Sequence, residues 1–296
     1  MLLRSGLLGL LICLSTSAHA FELGDHKRIM LQALSEIQAC SPGTFDVGDA
    51  TTLWLADLEE DVNVLRKDLL FSHFYNPNKP LNMLRYGSGE RVGVLSYLLN
   101  TFASNKTRHR FGHLTMIAQA IHHIQDMGAP PHVVPVNHGP WDSFENFEFS
   151  GDISSGFTCE QLQDPMSGDL LTILKETALE TLARVKDARV KITSGTVGSD
   201  NLTKDSVSGA AFWKDSGNND FGSYGILGNN FGKVQFIKDE ISYTVPLEFY
   251  VSFKREQLKL AVRSTLKALN WFLRLTAPLN LQSPVVGQRS TPVTQK

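Results

Sequence analysis

Beyond its first twenty residues the sequence has no apolar run long enough to cross a bilayer as a helix, which takes about 20 residues, so no transmembrane segment is expected in the mature chain. It also lacks a basic excess. Lys and Arg number 28 against 30 Asp and Glu, for a net charge of −2. The electrostatic footprint of a nucleic-acid binder is therefore missing, and no stable nucleic-acid partner is expected. Cysteine is scarce, with three in 296 residues. Cys13 falls in the N-terminal apolar stretch, so Cys40 and Cys159 can form at most one bridge, and they read as structural residues, not as metal ligands. No stretch alternates with period two over several strands, and there is no internal repeat and no linker between two domains.

Helical periodicity is present instead. In 26–39, Ile29, Met30, Ala33, Leu34 and Ile37 fall on one face. The segments 93–104, 112–127, 168–186 and 250–275 show the same spacing. The chain therefore reads as mainly α, a single helical domain over 21–277. The region 189–247 is rich in Gly, Asn and Ser and reads as a long loop, with a short strand expected within 239–250. Residues 278–296, rich in Pro, Gln, Ser and Thr, read as a disordered tail.

The N-terminus has the pattern of an export signal. Arg4 supplies a positive start, residues 7–14 are apolar, and Ala18-His19-Ala20 offers small residues at the cleavage site. Cleavage after Ala20 would leave Phe21 as the mature N-terminus, and the protein is expected to be secreted or periplasmic.

The chemistry gathers around histidine. His122 and Asp126 are four residues apart in a helical stretch, so they share a face one turn apart. Gly128-Ala129-Pro130-Pro131 stops the helix, and His132 follows where the turn can swing it back. His138 and Asp142 repeat the four-residue spacing, and Glu145 comes shortly after. Upstream stand His26, Asp61 and His73. Imidazole nitrogen and carboxylate oxygen suit zinc, and one zinc takes about four ligands. This set suits two or three ions. His109, His113 and His123 read as ordinary surface or core residues, and Asp57, one turn before Asp61, as its rival.

These motifs resemble the zinc-dependent phospholipase C and P1/S1 nuclease superfamily. The resemblance rests on the run HHIQDMGAPPH from His122 to His132, on Asp61 twelve residues before His73, on His73-Phe74-Tyr75-Asn76-Pro77, and on His138-Gly139-Pro140-Trp141-Asp142 with Phe144-Glu145-Asn146 behind it. It implies a helical domain with three zinc ions per chain. Asp61, His73 and His122 would hold one ion, with Asp126 bridging to another. His132, His138 and either Asp142 or Glu145 would hold a second. Phe21, through its backbone, would join His26 and Asp126 on the third; family members usually begin with Trp there. Asp61 could also steer the attacking water as a general base. The activity implied is that of a phospholipase C, acting on phospholipid at a membrane or micelle surface to release diacylglycerol and a phosphorylated head group. The alternatives are a P1-like single-strand nuclease or 3′-nucleotidase, favoured by Trp141-Asp142 after His138, and, in another class, a zinc-binding protein without turnover.

Overall fold

The computed structural model describes residues 23–62, 73–78, 87–104, 110–138, 141–163, 168–199, 201–216 and 221–276. The expected leader, Phe21 and the tail from 278 onward lie outside them. Eight helices dominate the described residues: α1 (Leu23–Cys40), α2 (Val47–Val62), α3 (Ser88–Ser104), α4 (Arg110–Asp126), the single turn α5 (Pro130–Val133), α6 (Cys159–Gln163), α7 (Leu170–Asp187) and α8 (Leu247–Thr276). The fold is mainly α with a small sheet. No helix among the described residues is long and apolar enough to cross a membrane.

Local sequence explains where the helices start and stop. α1 buries Ile29, Met30, Ala33, Leu34 and Ile37, one stripe at helical spacing. α2 opens with a reciprocal cap: the Asp49 amide donates to Asp46 Oδ1 at 2.8 Å and the Asp46 amide to Asp49 Oδ2 at 3.2 Å. α7 is capped by Asp169, which accepts from the Thr172 amide at 2.9 Å. α4 runs through the centre and packs on α2, α3 and α8. Its second half is buried on every side, from Ile117 to Asp126 apart from Gln119. Each buried Ile there contributes on the order of 1.5–3 kcal/mol.

The end of α4 shapes the site. The Gly128 and Ala129 amides donate to the Gln125 and Asp126 carbonyls at 2.8 and 2.9 Å. A Cβ on Gly128 would lie 3.1 Å from the Gln125 carbonyl oxygen and 3.3 Å from the Gln257 carbonyl oxygen of α8, so glycine lets α8 come close here. Pro130 and Pro131 then occupy the first positions of α5, where no amide donor is needed.

The region 189–247 is not a loop. It holds β1 (Arg189–Thr196), β2 (Thr203–Ser208), β3 (Trp213–Lys214), β4 (Ser223–Tyr224), β5 (Gln235–Lys238) and β6 (Ile241–Thr244). An antiparallel four-stranded sheet has the order β2-β1-β6-β5, and β3 pairs with β4. The strand expected within 239–250 is β6. β5 and β6 join through Asp239 and Glu240, with φ of 50° and 62°, the two positive values of a type I′ hairpin turn. The strands escape a pattern search because little of them is inside. Only Val190 and Ile192 of β1 are buried, and no residue of β2 is. Glycines that suggested a loop serve close packing: a Cβ on Gly225 would stand 2.4 Å from the Ala211 carbonyl oxygen.

An aromatic cluster joins this sheet region to α8 and to the turns after residue 141. Phe144 meets Phe231, Trp213 and Phe253 edge-on at 5.1, 5.7 and 6.2 Å, geometries that rings favour. Cys40 and Cys159 form a disulfide that ties the end of α1 to the start of α6, closing a loop of 119 residues.

Candidate metal centre

Four segments converge on the C-terminal end of α4. α1 contributes His26, the last turns of α2 contribute Asp57, Glu60 and Asp61, the segment 73–76 contributes His73, and α4 contributes His122, His123 and Asp126. All of these side chains are buried. Such a concentration of polar groups away from water is costly unless the groups are paired or bind an ion.

Asp126 is at the centre. Its Oδ2 is 2.6 Å from His73 Nδ1, 3.6 Å from His122 Nε2 and 3.9 Å from His123 Nδ1, and its Oδ1 is 3.4 Å from His26 Nε2. Asp61 faces the same space, with Oδ2 3.6 Å from His26 Nε2 and Oδ1 3.7 Å from His122 Nε2. Asp57 stands behind: its Oδ1 is 3.1 Å from His122 Nδ1, which leaves Nε2 of that ring turned to the cluster. Asp57 therefore orients His122 while Asp61 looks inward. His26 is oriented likewise. Its Nδ1 donates to Gln125 Oε1 at 2.6 Å, and Gln125 Nε2 donates to Thr265 Oγ1 of α8 at 3.2 Å. Fixing one imidazole nitrogen in this way presents the other to a metal.

A second group lies beside the first. The His132 ring donates through Nδ1 to the His73 carbonyl at 2.6 Å, and the Tyr75 amide donates to the His132 carbonyl at 3.0 Å. These bonds pin the α5 turn against the segment 73–76. His132 Nε2 is then left 3.0 Å from Glu145 Oε1, and His138 Nε2 is 3.5 Å from the same oxygen. Phe74 stacks on His132 at 5.0 Å.

The two late acids separate. Glu145 joins His132 and His138. Asp142 points away, although it is four residues from His138. Its Oδ1 accepts from the Phe144 and Glu145 amides at 2.9 and 3.1 Å, and its Oδ2 from the Tyr224 hydroxyl at 2.8 Å. Helical spacing misleads here because 141–147 is a run of turns, not a helix, and Asp142 is the residue that holds those turns. Glu145→Gln is expected to lose the metal held with His132 and His138. Asp142→Asn is expected to keep it and to lose about 1–3 kcal/mol of stability. Metal content and denaturant unfolding of the two variants check this pair of outcomes.

Charge follows the geometry. Burial pushes His26 down, but Asp61, Asp126 and Asp57 more than offset it and raise its pKa to about 10. Burial opposes the charge on His122 too, yet Asp126 and Asp61 raise it. Asp126 is held well below the carboxylate range by His122, His73 and His26, against its burial. His123 goes the other way: burial, His73 and His122 push it well below the usual imidazole value.

The donor set could hold a metal ion. Three-residue sets that bring their donor atoms within 4.8 Å of one another are His26–His122–Asp126, Asp61–His73–His122, His73–His123–Asp126 and His132–His138–Glu145. Two ligands of a tetrahedral zinc stand roughly 3.3–3.5 Å apart given bonds of about 2.0–2.1 Å, and the His26 Nε2–Asp126 Oδ1 pair already stands at 3.4 Å and the His138 Nε2–Glu145 Oε1 pair at 3.5 Å. His123 makes no hydrogen bond through either ring nitrogen. In sequence it reads as an ordinary histidine, yet its Nε2 faces Glu60 Oε2 at 3.8 Å and its Nδ1 faces Asp126. Its three-residue spacing to Asp126 is the signal that marks it. Of the residues expected from sequence, His26, Asp61, His73, His122 and Asp126 come together in one group and His132, His138 and Glu145 in the other, while Phe21 lies outside the described residues. No protein-family model matches the chain, and no curated protein matches it either.

Proposed function

We propose that the protein is a zinc-dependent phosphodiesterase of the phospholipase C kind. The observation that carries this reading is the sharing of one buried carboxylate, Asp126, between histidines from three segments, with a separate His132–His138–Glu145 group alongside. Neighbouring cationic sites joined by a carboxylate suit a substrate whose charge sits on several phosphoryl oxygens at once. Zinc, when bound, lowers the pKa of water toward about 7 and neutralises charge on phosphoryl oxygens.

The protein's own residues do the rest. Asp126, a member of two of the ligand sets, would serve an ion on each of its oxygens. Asp61, whose two oxygens face His26 and His122, would hold an ion and is placed to take the proton of the attacking water. His132, His138 and Glu145 would hold an ion beside the turns after residue 141. Asp57 and Gln125 keep His122 and His26 in the required orientation. Burial of the whole set keeps bulk water out and strengthens each of these interactions.

A second reading, a single-strand nuclease or 3′-nucleotidase, draws on the surface next to Glu145. Trp141 is 58% exposed. It lines an open cleft of about 470 Å³ with Asn146, Phe147, Phe231 and Lys233, where an aromatic face could stack on a base and a lysine meet a phosphate. Purified mature protein assayed on phosphatidylcholine micelles and on single-stranded DNA separates the two. Diacylglycerol release is expected. Cleavage of DNA with no diacylglycerol would replace the first reading by the second, and metal binding without either activity would leave a zinc-binding protein.

A further inference from the structure

One fully buried cation has no part in the chemistry so far. Lys254, on α8, is 0% exposed. Burying an ammonium group is costly, and an apolar side chain would serve packing at less cost. The explanation has to lie in what it touches. Nζ pairs with Asp25 Oδ2 at 2.9 Å and donates to the Phe144 carbonyl at 2.9 Å and the Glu145 carbonyl at 3.4 Å. Three acceptors match the three protons of an ammonium. Nζ also stands 4.5 Å from the centre of the Phe144 ring, where a desolvated cation is attracted to the ring face.

The identity of those acceptors matters. Asp25 directly precedes His26, at the first turn of α1. Phe144 and Glu145 form the turn that presents the Glu145 carboxylate to His132 and His138. Lys254 thus fastens the side chain of the residue before a histidine of the first group to the backbone beneath the carboxylate of the second. α8 supplies no donor to either group, yet it holds both, because Thr265 on the same helix supports Gln125 and through it His26.

We propose that Lys254 is a positioning residue that sets the metal affinity of the His132–His138–Glu145 site and couples it to the His26 end of the cluster. This rests on the reading of both groups as metal sites. It goes beyond that reading by giving a role to a residue that touches neither metal nor substrate. The side chain acts through the Glu145 backbone: without it, the two carbonyls lose their shared donor, the turn keeps its Asp142 bonds on the amide side but loses its tie to α8, and the carboxylate can drift from the two imidazoles.

The test is a titration of metal-free wild type, Lys254→Met and Asp25→Asn with zinc against a competing chelator, accompanied by the visible absorption of the cobalt-substituted proteins. Lys254→Met is expected to weaken one class of site by about 10- to 100-fold, the range for partners that orient metal ligands. That class should be the one missing in Glu145→Gln, and its cobalt bands should shift or fade. Asp25→Asn should weaken the same class by a smaller factor. Zinc affinities and cobalt spectra equal to wild type, whatever the change in Tm, would overturn the proposal, because a residue that only stabilises the fold would move Tm alone. If Lys254→Met does not fold, Asp25→Asn decides by the same measurement. Fewer than two zinc ions in the wild type would overturn the metal reading together with this one; a normal wild type with unchanged variants would overturn this one alone.

Discussion

Asp126→Asn is expected to remove at least one metal ion and to lower phosphodiesterase turnover by more than the roughly 10²–10³-fold that loss of a single transition-state donor costs. Asparagine has the shape of aspartate but not its charge, and one of its two terminal atoms is a donor. In the native site both carboxylate oxygens face imidazole nitrogens: Oδ2 lies 2.6 Å from His73 Nδ1 and Oδ1 3.4 Å from His26 Nε2. A carboxylate can serve an ion on each oxygen. An amide turns one of those positions into an NH2 group that repels a cation. Two of the four ligand sets lose their shared member at once, His26–His122–Asp126 and His73–His123–Asp126. The charge balance fails as well, because Asp126 stays ionised in the metal-free protein through the histidines around it.

The comparison that isolates this effect is Asp57→Asn. Asp57 is as deeply buried as Asp126, but it meets the cluster from behind, 3.1 Å from His122 Nδ1 and 3.9 Å from His26 Nδ1, the ring nitrogens turned away from Asp126. An amide oxygen can keep that hydrogen bond, so metal affinity should fall by no more than about 10- to 100-fold. Zinc content and turnover of the two variants are the measurements. An Asp126→Asn protein with full activity and wild-type zinc content would refute the bridge.

The site was legible in sequence where local geometry determines it and illegible where turns or tertiary contacts do. His122 and Asp126 are one turn apart on a helix, and helix geometry alone puts them together. The Gly128 to Pro131 break could be read as the stop that returns His132. Asp142 shows the limit of the same rule, since four-residue spacing has no meaning across a run of turns. His123 shows the opposite limit. On an isolated helix it points about 100° from His122, but the cluster wraps around the end of α4, so two adjacent histidines both face it, one toward Asp57 and one toward Glu60.

The fold divides in the same way. α1, α4, α7 and α8 carry apolar stripes that periodicity detects. α2 does not, because its buried face comprises Leu53 and Ala56 with Asp49, Asp57, Glu60 and Asp61. Four buried acids make a core helix look solvated: Asp49 is inside because it caps the first turn, and Asp57, Glu60 and Asp61 because they face the histidines of the cluster. The sheet was hidden for a different reason. β2 buries none of its residues, and β1 alternates exposed and buried over only four residues, Arg189 to Ile192, so the period-two signal is too short to identify a strand.

Removal of metal is the other large perturbation, and its pH dependence distinguishes this site from an ordinary polar core. A chelator should abolish activity and leave a protein that takes up protons where zinc had been. In that state His26 titrates at about 10 instead of 6.5, and His122 is raised too, because Asp61, Asp126 and Asp57 favour imidazolium over neutral imidazole despite burial. A raised pKa stabilises the folded state fully below the unfolded value of 6.5, and that contribution is lost as pH rises through about 10. The metal-free protein should therefore lose stability across that window. Asp126 shifts the other way, and its contribution, present above the unfolded carboxylate value of about 3.9, stays constant across the same window. The zinc-loaded protein holds neutral imidazoles, so its margin of stability over the metal-free form should widen with pH. Adding zinc to the metal-free protein at pH 8 should release at least one proton per chain, measurable in weakly buffered solution or by calorimetry in buffers of different ionisation enthalpy. Zinc uptake at pH 8 without proton release would mean that His26 is already neutral there, and that the carboxylates around it do not form a cation-binding pocket.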